Sequence, residues 1–424
     1  MKFLTSFMIL LIAVKIFSQT NFPNINQEIS KGNFTIAAKL IDETIQKGNL
    51  PKTEILNLEF QKEVMDRIRK DFQGTREEVI QFIKKYYPDV NDNMISKWEA
   101  DGSLEFKIID GKKFYFNNAD ANLFRINKIA KNQKKKIDGD KPDALDEYLK
   151  EYLPKVFEEV EKGNSRLVKP VNLKLNYTVT VKPDVVPEGE VIRCWLPFPR
   201  EIGRQKSIKL LSVNSKEYVV ADNKNLQRTI YIEKTAEKGV PTVFNFVVSY
   251  TAFSDMYKID PKLIQPYLKD SDTYKKFTSE RFPHIAFTSE IKNLSKQIVN
   301  DEKNPFLKAK KIFTWIDENI PWASAREYST IENISDYCLK NMHGDCGIKT
   351  LLFMTLCRYN GIPTKWQSGW MLHPPEVNLH DWCEAYFEGY GWIPVDQLFK
   401  CCHRPVGDSS NVIILMTRLV FIST

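Results

Sequence analysis

The stretch Gly344-Asp345-Cys346-Gly347, followed at once by IKTLLFMTLCRYNGIP at residues 348–363, decides the fold. The run from Ile348 to Tyr359 is apolar almost all round, which is typical of a helix buried in a core. The NGIP sequence that follows ends this helix. Cys346 therefore lies in the first turn, where unpartnered N–H groups and the helix dipole favour a thiolate. Asp345, immediately before it, is expected to cap the helix by accepting backbone N–H groups.

A histidine and an aspartate follow on a predicted β-hairpin. The segment HDWCEAYF at 380–387 alternates and is rich in aromatic residues, and WIPVD at 392–396 resumes after a glycine-containing loop. Closing the hairpin with Tyr386 near Tyr390 or Gly391 places His380 opposite Asp396, or one place from it. A carboxylate facing an imidazole across two strands fixes the ring tautomer and stabilises imidazolium. We expect Cys346 to meet the other ring nitrogen.

These three motifs together resemble the transglutaminase-like superfamily of papain-fold cysteine enzymes, in an exported bacterial form. The similarity covers residues 304–396 and keeps the family's order of cysteine, histidine and aspartate. It implies that Cys346 is the nucleophile, that His380 is the general base and acid, and that Asp396 orients His380. In that family an upstream aromatic residue also helps to stabilise the oxyanion, and Trp322 is the positional match. The resemblance implies no cofactor and no metal.

The residues leave alternatives open at each position. Cys346 could be a buried, inert thiol. His343 or His373 could be the base instead of His380, and Asp381 could replace Asp396. A zinc site is conceivable in composition, although the spacing matches no compact ligand pair; its ligands would be Cys338, His343, Cys346 and His380.

The first residues predict export. An apolar run from Phe3 to Phe17 follows Met1-Lys2, is shorter than the ~20 residues that span a bilayer, and is interrupted by Lys15. We therefore expect a signal peptide at residues 1–18 and a periplasmic or secreted protein, with a retained membrane anchor as the alternative.

Composition excludes few classes of function. A hydrophobic fraction of 42% is ample for real cores, and a net charge of +7 over 424 residues gives no firm indication of nucleic acid or membrane binding. Seven cysteines is an odd number, so in an oxidising compartment at least one thiol stays unpaired within the chain. Cys338, Cys357 and Cys383 are expected to be small buried apolar residues, with a disulfide as the alternative.

Changes in periodicity predict an α+β protein of several segments. Residues 73–127 mimic the outline of a winged helix, but DNA binding does not suit an exported chain, and the lysines at 131–136 are interpreted as a solvated linker. The predicted segments are a helical region at 19–72, a winged-helix-like region at 73–127, a linker and helix at 128–167, a β-sandwich-like domain at 168–255, a helical connection at 256–303, the catalytic domain at 304–397 and an atypical tail at 398–424.

The predicted function is acyl transfer at a carboxamide, with hydrolysis of a protein or peptide substrate favoured over transamidation of a glutamine side chain. The alternative from another class is a non-catalytic interaction protein on the same fold. The tail after Gln397 could form one strand from Val412 to Ile422, or it could come from a changed reading frame or a truncated sequence. The oligomeric state does not follow from these patterns.

Overall fold

The computed structural model describes residues 22–139, 144–163, 165–373 and 376–397, together with two short strands at 412–413 and 419–420. The predicted signal peptide and most of the tail lie outside these residues. The chain forms two compact units. Among the described residues, the first unit consists of 22–138, 281–286 and 321–343, and the second takes the others. The segment boundaries expected from the sequence stay predictions.

The first unit is mainly helical around one apolar core. Its core includes Ile41, Leu58, Ile83 and Leu123, all fully buried. Thr75 and Glu78 form a reciprocal capping box at the start of one helix. Its elements are α1 (Pro23–Lys31), α2 (Phe34–Gln46), α3 (Lys52–Asp71), α4 (Arg76–Ile83), α5 (Asp92–Ala100), β1 (Phe106–Ile109), β2 (Lys112–Tyr115), α6 (Ala119–Ile126), α7 (Lys128–Asp138) and α12 (Ile334–Asn341).

The lysine-rich segment at 131–136 is helical, so its interpretation as a linker was wrong. It belongs to α7, in which Ala130 is fully buried and Lys134 pairs with Asp138 one turn later. Lysine, glutamine and alanine have high helix propensity, which here matters more than the density of charge. The expected order of helix, turn, helix and hairpin before this segment is found in α4, α5, β1 and β2.

The second unit begins with a helix and two antiparallel three-stranded sheets. Side chains of both sheets, among them Leu196, Ile230 and Phe246, form one buried cluster. Along β3, residues that pack against this cluster alternate with exposed ones from Leu175 to Val181. The elements are α8 (Ala144–Lys162), the sheet of β3 (Leu167–Val181), β8 (Thr242–Asp255) and β5 (Gln205–Val213), and the sheet of β4 (Val191–Pro197), β7 (Thr229–Thr235) and β6 (Tyr218–Val220).

The remainder of the second unit packs helices against a four-stranded sheet. Asn304 caps α11 by accepting the N–H groups of Phe306 and Leu307, and Phe313 on α11 contacts Phe353 on α13. The elements are α9 (Asp272–Thr278), α10 (Ser289–Val299), α11 (Pro305–Asn319), α13 (Cys346–Tyr359), β10 (Thr364–His373), β11 (Glu376–Phe387) and β12 (Gly391–Val395).

The described part of the tail contributes two short strands, whereas one of the alternatives drawn from the sequence was a single strand from Val412 to Ile422. β13 (Val412–Ile413) pairs with β9 (Tyr257–Lys258), and β14 (Leu419–Val420) pairs with β10. The four-stranded sheet therefore has the order β12-β11-β10-β14. None of the described helices has both the length and the apolar character needed to cross a bilayer.

Candidate active site

Cys346 is the first residue of α13, where the sequence placed it. The side chain of Asp345 accepts the N–H of Ile348 at 3.0 Å, so the predicted cap is confirmed. Every residue from Gly347 to Arg358 is buried, whereas Cys346 stays partly exposed. The helix thus places the thiol at its positive end, next to its buried core face.

His380 lies on β11, in the four-stranded sheet that packs beside α13. β11 pairs along its length with β10. The sequence did not predict β10 as a strand, although Trp366, Ser368 and Trp370 occupy alternate positions in it. On its other side β11 pairs with β12, from Phe387 opposite Gly391 to Cys383 opposite Val395.

The predicted register between β11 and β12 was wrong by one to two residues. Tyr386 lies opposite Trp392, and not opposite Tyr390 or Gly391. The cause is the turn: Gly389 and Gly391 both have positive φ, at 89° and 83°, and the pair that closes the hairpin is Phe387 with Gly391, one residue later on each strand than Tyr386 with Tyr390. Asp396 therefore lies beyond the last paired residue, and diagonally from His380.

The carboxylate of Asp396 nevertheless reaches the ring of His380. Its Oδ2 lies 2.6 Å from Nε2, and both side chains are buried. Diagonal neighbours on one face of a sheet remain within reach of long or aromatic side chains. Burial alone would lower the pKa of His380, but the charge and hydrogen bond of Asp396, with the contact to Cys346, raise it to about 10.

The same imidazole makes a hydrogen bond with the thiol of Cys346. Since Asp396 occupies Nε2, the nitrogen left for the sulfur is Nδ1. Burial raises the pKa of the Cys346 thiol, the hydrogen bond and charge of His380 oppose the rise, and Asp345 and Asp381 add to it. The three predicted residues Cys346, His380 and Asp396 are therefore brought together in one chain of contacts.

Asp381 does not take the place of Asp396 at the ring. Its Oδ2 lies 4.0 Å from Sγ of Cys346, on the sulfur side of the site. Ser368, opposite it on β10, hydrogen-bonds its carboxylate. The sequence named Asp381 only as a rival to Asp396, and nothing in its spacing signalled the contact with the sulfur.

The other residues singled out from the sequence have different surroundings. Trp322 is 40% exposed and packs against the guanidinium of Arg125, whose Cζ is 4.7 Å from the ring centre; its oxyanion role stays a prediction. Burial and the charge of Arg326 lower the pKa of His343 to about 4. The side chain of His373 lies outside the described residues.

The other described cysteines are structurally different from Cys346. Cys338, Cys357 and Cys383 are fully buried, as expected, and Cys194 is partly buried; none of these four is joined in a disulfide. Burial raises the pKa of Cys357 and Cys383 well above the ordinary range. Within the described ranges, no three His, Cys, Asp or Glu side chains are grouped to hold a metal ion.

Comparison with known proteins identifies the region that carries this site. Residues 292–397 match the transglutaminase-like superfamily. The uncharacterized protein YebA of Bacillus subtilis is 23% identical over 169 residues, which is 35% of this chain and 22% of YebA. An uncharacterized protein of Haemophilus influenzae is 26% identical over 261 residues, covering 50% of this chain and 65% of that protein. The chain thus spans less than two thirds of the length of either relative.

Solved structures show more distant similarity. A protein of Cytophaga hutchinsonii, described as a candidate cysteine protease, aligns at a TM-score of 0.41 with 18% identity, over 55% of this chain and 78% of its own. The periplasmic domain of TgpA from Pseudomonas aeruginosa aligns at a TM-score of 0.28 with 14% identity, over 53% of this chain and 72% of its own.

Proposed function

We propose, from the premise that residues 292–397 form a transglutaminase-like superfamily domain, that the chain catalyses acyl transfer from a carboxamide through a thioester on Cys346. The main observation in support is that the imidazole of His380 contacts both a carboxylate and the thiol. His380 is held by Asp396 at 2.6 Å and hydrogen-bonds the thiol of Cys346. This is the arrangement that activates a thiol as nucleophile.

The first half of the reaction forms the acyl-enzyme. In the reactive pair the proton of the thiol resides on His380, whose imidazolium form is stabilised by Asp396, and the thiolate of Cys346 attacks the carbonyl carbon of the amide. The backbone N–H of Cys346, in the first turn of α13 where no helical carbonyl lies in reach, is suited to stabilise the oxyanion together with a second donor. His380 then protonates the leaving nitrogen, the C–N bond breaks and a thioester remains.

The second half releases the product. An acceptor attacks the thioester and gives its proton to His380, after which the C–S bond breaks and the thiolate returns. We favour water as the acceptor, because Cys346 is partly exposed and hydrolysis requires no second binding pocket. A primary amine as acceptor would give protein-glutamine transamidation by the same steps.

The substrate expected for hydrolysis is a peptide or protein. The test is a glutamine peptide incubated with the protein in the presence and absence of a primary amine, with both ammonia and the acyl product measured. Cys346→Ala should abolish product formation. Cys194→Ala is the matched control because Cys194 is the other partly exposed free thiol among the described residues.

The outcomes separate the candidate functions. Product that forms without the amine supports hydrolysis, and product that forms only with the amine supports transamidation instead. No product on glutamine peptides or on a denatured protein such as casein, together with no selective labelling of Cys346, would favour a non-catalytic interaction protein.

We also propose that the protein acts outside the cytoplasm. The support is the charged start and the apolar run up to Phe17, which are typical of an export signal. Cell fractionation and N-terminal sequencing of the mature chain test this directly: cleavage near Ser18 is expected, and a full-length cytoplasmic chain would contradict it.

A further inference from the structure

Asp381 is a charged side chain beside the candidate nucleophile that the mechanism above does not use. Its Oδ2 lies 4.0 Å from Sγ of Cys346. It follows His380 on β11 and lies opposite Ser368 on β10, whose hydroxyl donates a hydrogen bond to the carboxylate. Since the two residues face each other within the continuous pairing of β10 with β11, that pairing holds the carboxylate next to the sulfur.

The charges around Asp381 do not balance it. Asp345, the cap of α13, and Asp396, just past the end of β12, are negative, and the one cationic ring that acts on Asp381, His380, is already paired with Asp396. Within the described part of the chain, no lysine or arginine is among the charges that act most strongly on Asp381. Burial raises the pKa of Asp381, as does repulsion by Asp345 and Asp396, while Ser368 and His380 lower it. The region around Sγ of Cys346 and the carboxylate of Asp381 therefore carries more negative than positive charge.

This imbalance affects any molecule that reaches Sγ. An anionic group next to the reacting carbonyl would be repelled by Asp381, whereas a cationic group would replace the missing counter-charge. Because the side chain is only partly exposed, the attraction is screened less than on an open surface. A bound cation would also weaken the repulsion that Asp381 exerts on the thiolate.

We propose that Asp381 is a specificity-determining residue, which selects acyl donors that carry a positive charge next to the reacting amide. The expected substrate class is a peptide with a lysine, an arginine or a free amino group beside that amide, and a carboxylate at the same place is disfavoured. This substrate class rests on the proposed function. The charge selectivity of the thiol does not, because it can be measured without turnover.

The first test compares two reagents that differ only in charge. Trimethylammonioethyl and sulfonatoethyl methanethiosulfonate both react by attack of a thiolate on sulfur, which forms a mixed disulfide and releases methanesulfinate. Peptide mapping gives the rate of each reagent at Cys346. Because both reagents react with the same thiolate, the fraction of thiolate cancels in the ratio of the two rates, and the ratio reports the local charge. The wild-type protein should favour the cationic reagent, and Asp381→Asn should lower the ratio at least about fivefold.

The controls isolate the carboxylate. Asp381→Glu keeps the charge and should retain most of the selectivity. Asp270→Asn removes a fully exposed carboxylate of the same unit and should leave the ratio unchanged. Acidification of the wild-type protein protonates Asp381 without any substitution and should lower the ratio. If Asp381→Asn does not fold, acidification of the wild-type protein decides whether Asp381 is the source of the charge selectivity. A ratio that is insensitive to both Asp381→Asn and acidification would overturn the proposal.

The second test uses paired peptides, identical except for lysine or glutamate next to the reacting amide. The wild-type protein should cleave the lysine peptide with the higher kcat/KM, and Asp381→Asn should reduce the difference at least about fivefold. Cleavage of both peptides at equal rates would refute the selectivity and leave the acyl-transfer function standing. Charge-selective labelling without cleavage of any peptide would refute the function and leave the assignment of Asp381 as the source of local charge.

Discussion

The carboxylate of Asp396 lies 2.6 Å from Nε2 of His380 although the two residues are not opposite each other in the sheet. The pairing of Cys383 with Val395 places Asp396 one residue past the end of β12, diagonal to His380. The ring of Trp382, the next residue on the same face, lies 6.2 Å from the His380 ring and is fully buried. The contact therefore forms inside the core, where an ion pair is screened little.

The first prediction concerns stability and pH. The pKa of His380 rises from 6.5 to about 10 on folding. A raised pKa means that the stabilisation is fully present below about pH 6.5 and is lost as the pH rises through about 10. Asp396→Asn removes the main cause of the raised pKa, so the variant should be less stable than wild type at low pH and approach it toward pH 10.

Urea unfolding at a series of pH values measures this difference, and comparing two proteins cancels groups that titrate alike in both. His380→Gln, which cannot be protonated, should remove the same pH-dependent term. A stability difference between wild type and Asp396→Asn that stays constant over this pH range would show that the two side chains are not coupled.

The second prediction separates two roles of Asp345. Asp345→Ala removes the cap of α13 and should cost about 1 kcal/mol of stability. Asp345→Asn keeps an acceptor for the N–H of Ile348 and should cost much less. Because Asp345 raises the pKa of the Cys346 thiol, both variants should react faster with iodoacetamide near neutral pH. Slower labelling in Asp345→Asn would contradict this electrostatic role.

The third prediction concerns the turn that sets the register. Gly391 has a φ of 83°, and a Cβ added there would meet no atom within 4 Å. Gly391→Ala should therefore cost about 1 kcal/mol through backbone strain alone, and Gly391→Asn less, since asparagine tolerates this conformation better. Urea unfolding measures both. Equal stability of all three proteins would mean that the turn has a different conformation.

The sequence predicted α13 well and the hairpin less well, for a physical reason. A buried helix with a cap at one end and NGIP at the other has few competing interpretations. The alternation in β11, in contrast, is unchanged by a shift of two residues, so it predicts which face His380 occupies but not its partner. The register depends on the conformations of Gly389 and Gly391, which the alternation does not specify.

Features that depend on tertiary packing were missed or misjudged. β10 was not identified, and the contact between Asp381 and Sγ of Cys346 follows from how α13 packs on β11 and not from any local pattern. The lysines at 131–136 were interpreted by charge, whereas Ala130 and the neighbouring helix formers decide their structure. The roles of Cys346, His380 and Asp396 in a reaction stay predictions.

The central claim is that Cys346 is nucleophilic because it meets an imidazole held by Asp396. The most direct measurement is labelling with a small molar excess of iodoacetamide over protein near neutral pH. Peptide mapping of all seven cysteines then shows which thiols have reacted. We predict one equivalent on Cys346 in the wild-type protein and, in folded His380→Ala, a rate at that residue lower by about tenfold for each unit by which the thiol pKa rises. Equal labelling of Cys346 in the two proteins, or no selectivity for it in the wild type, would contradict the account.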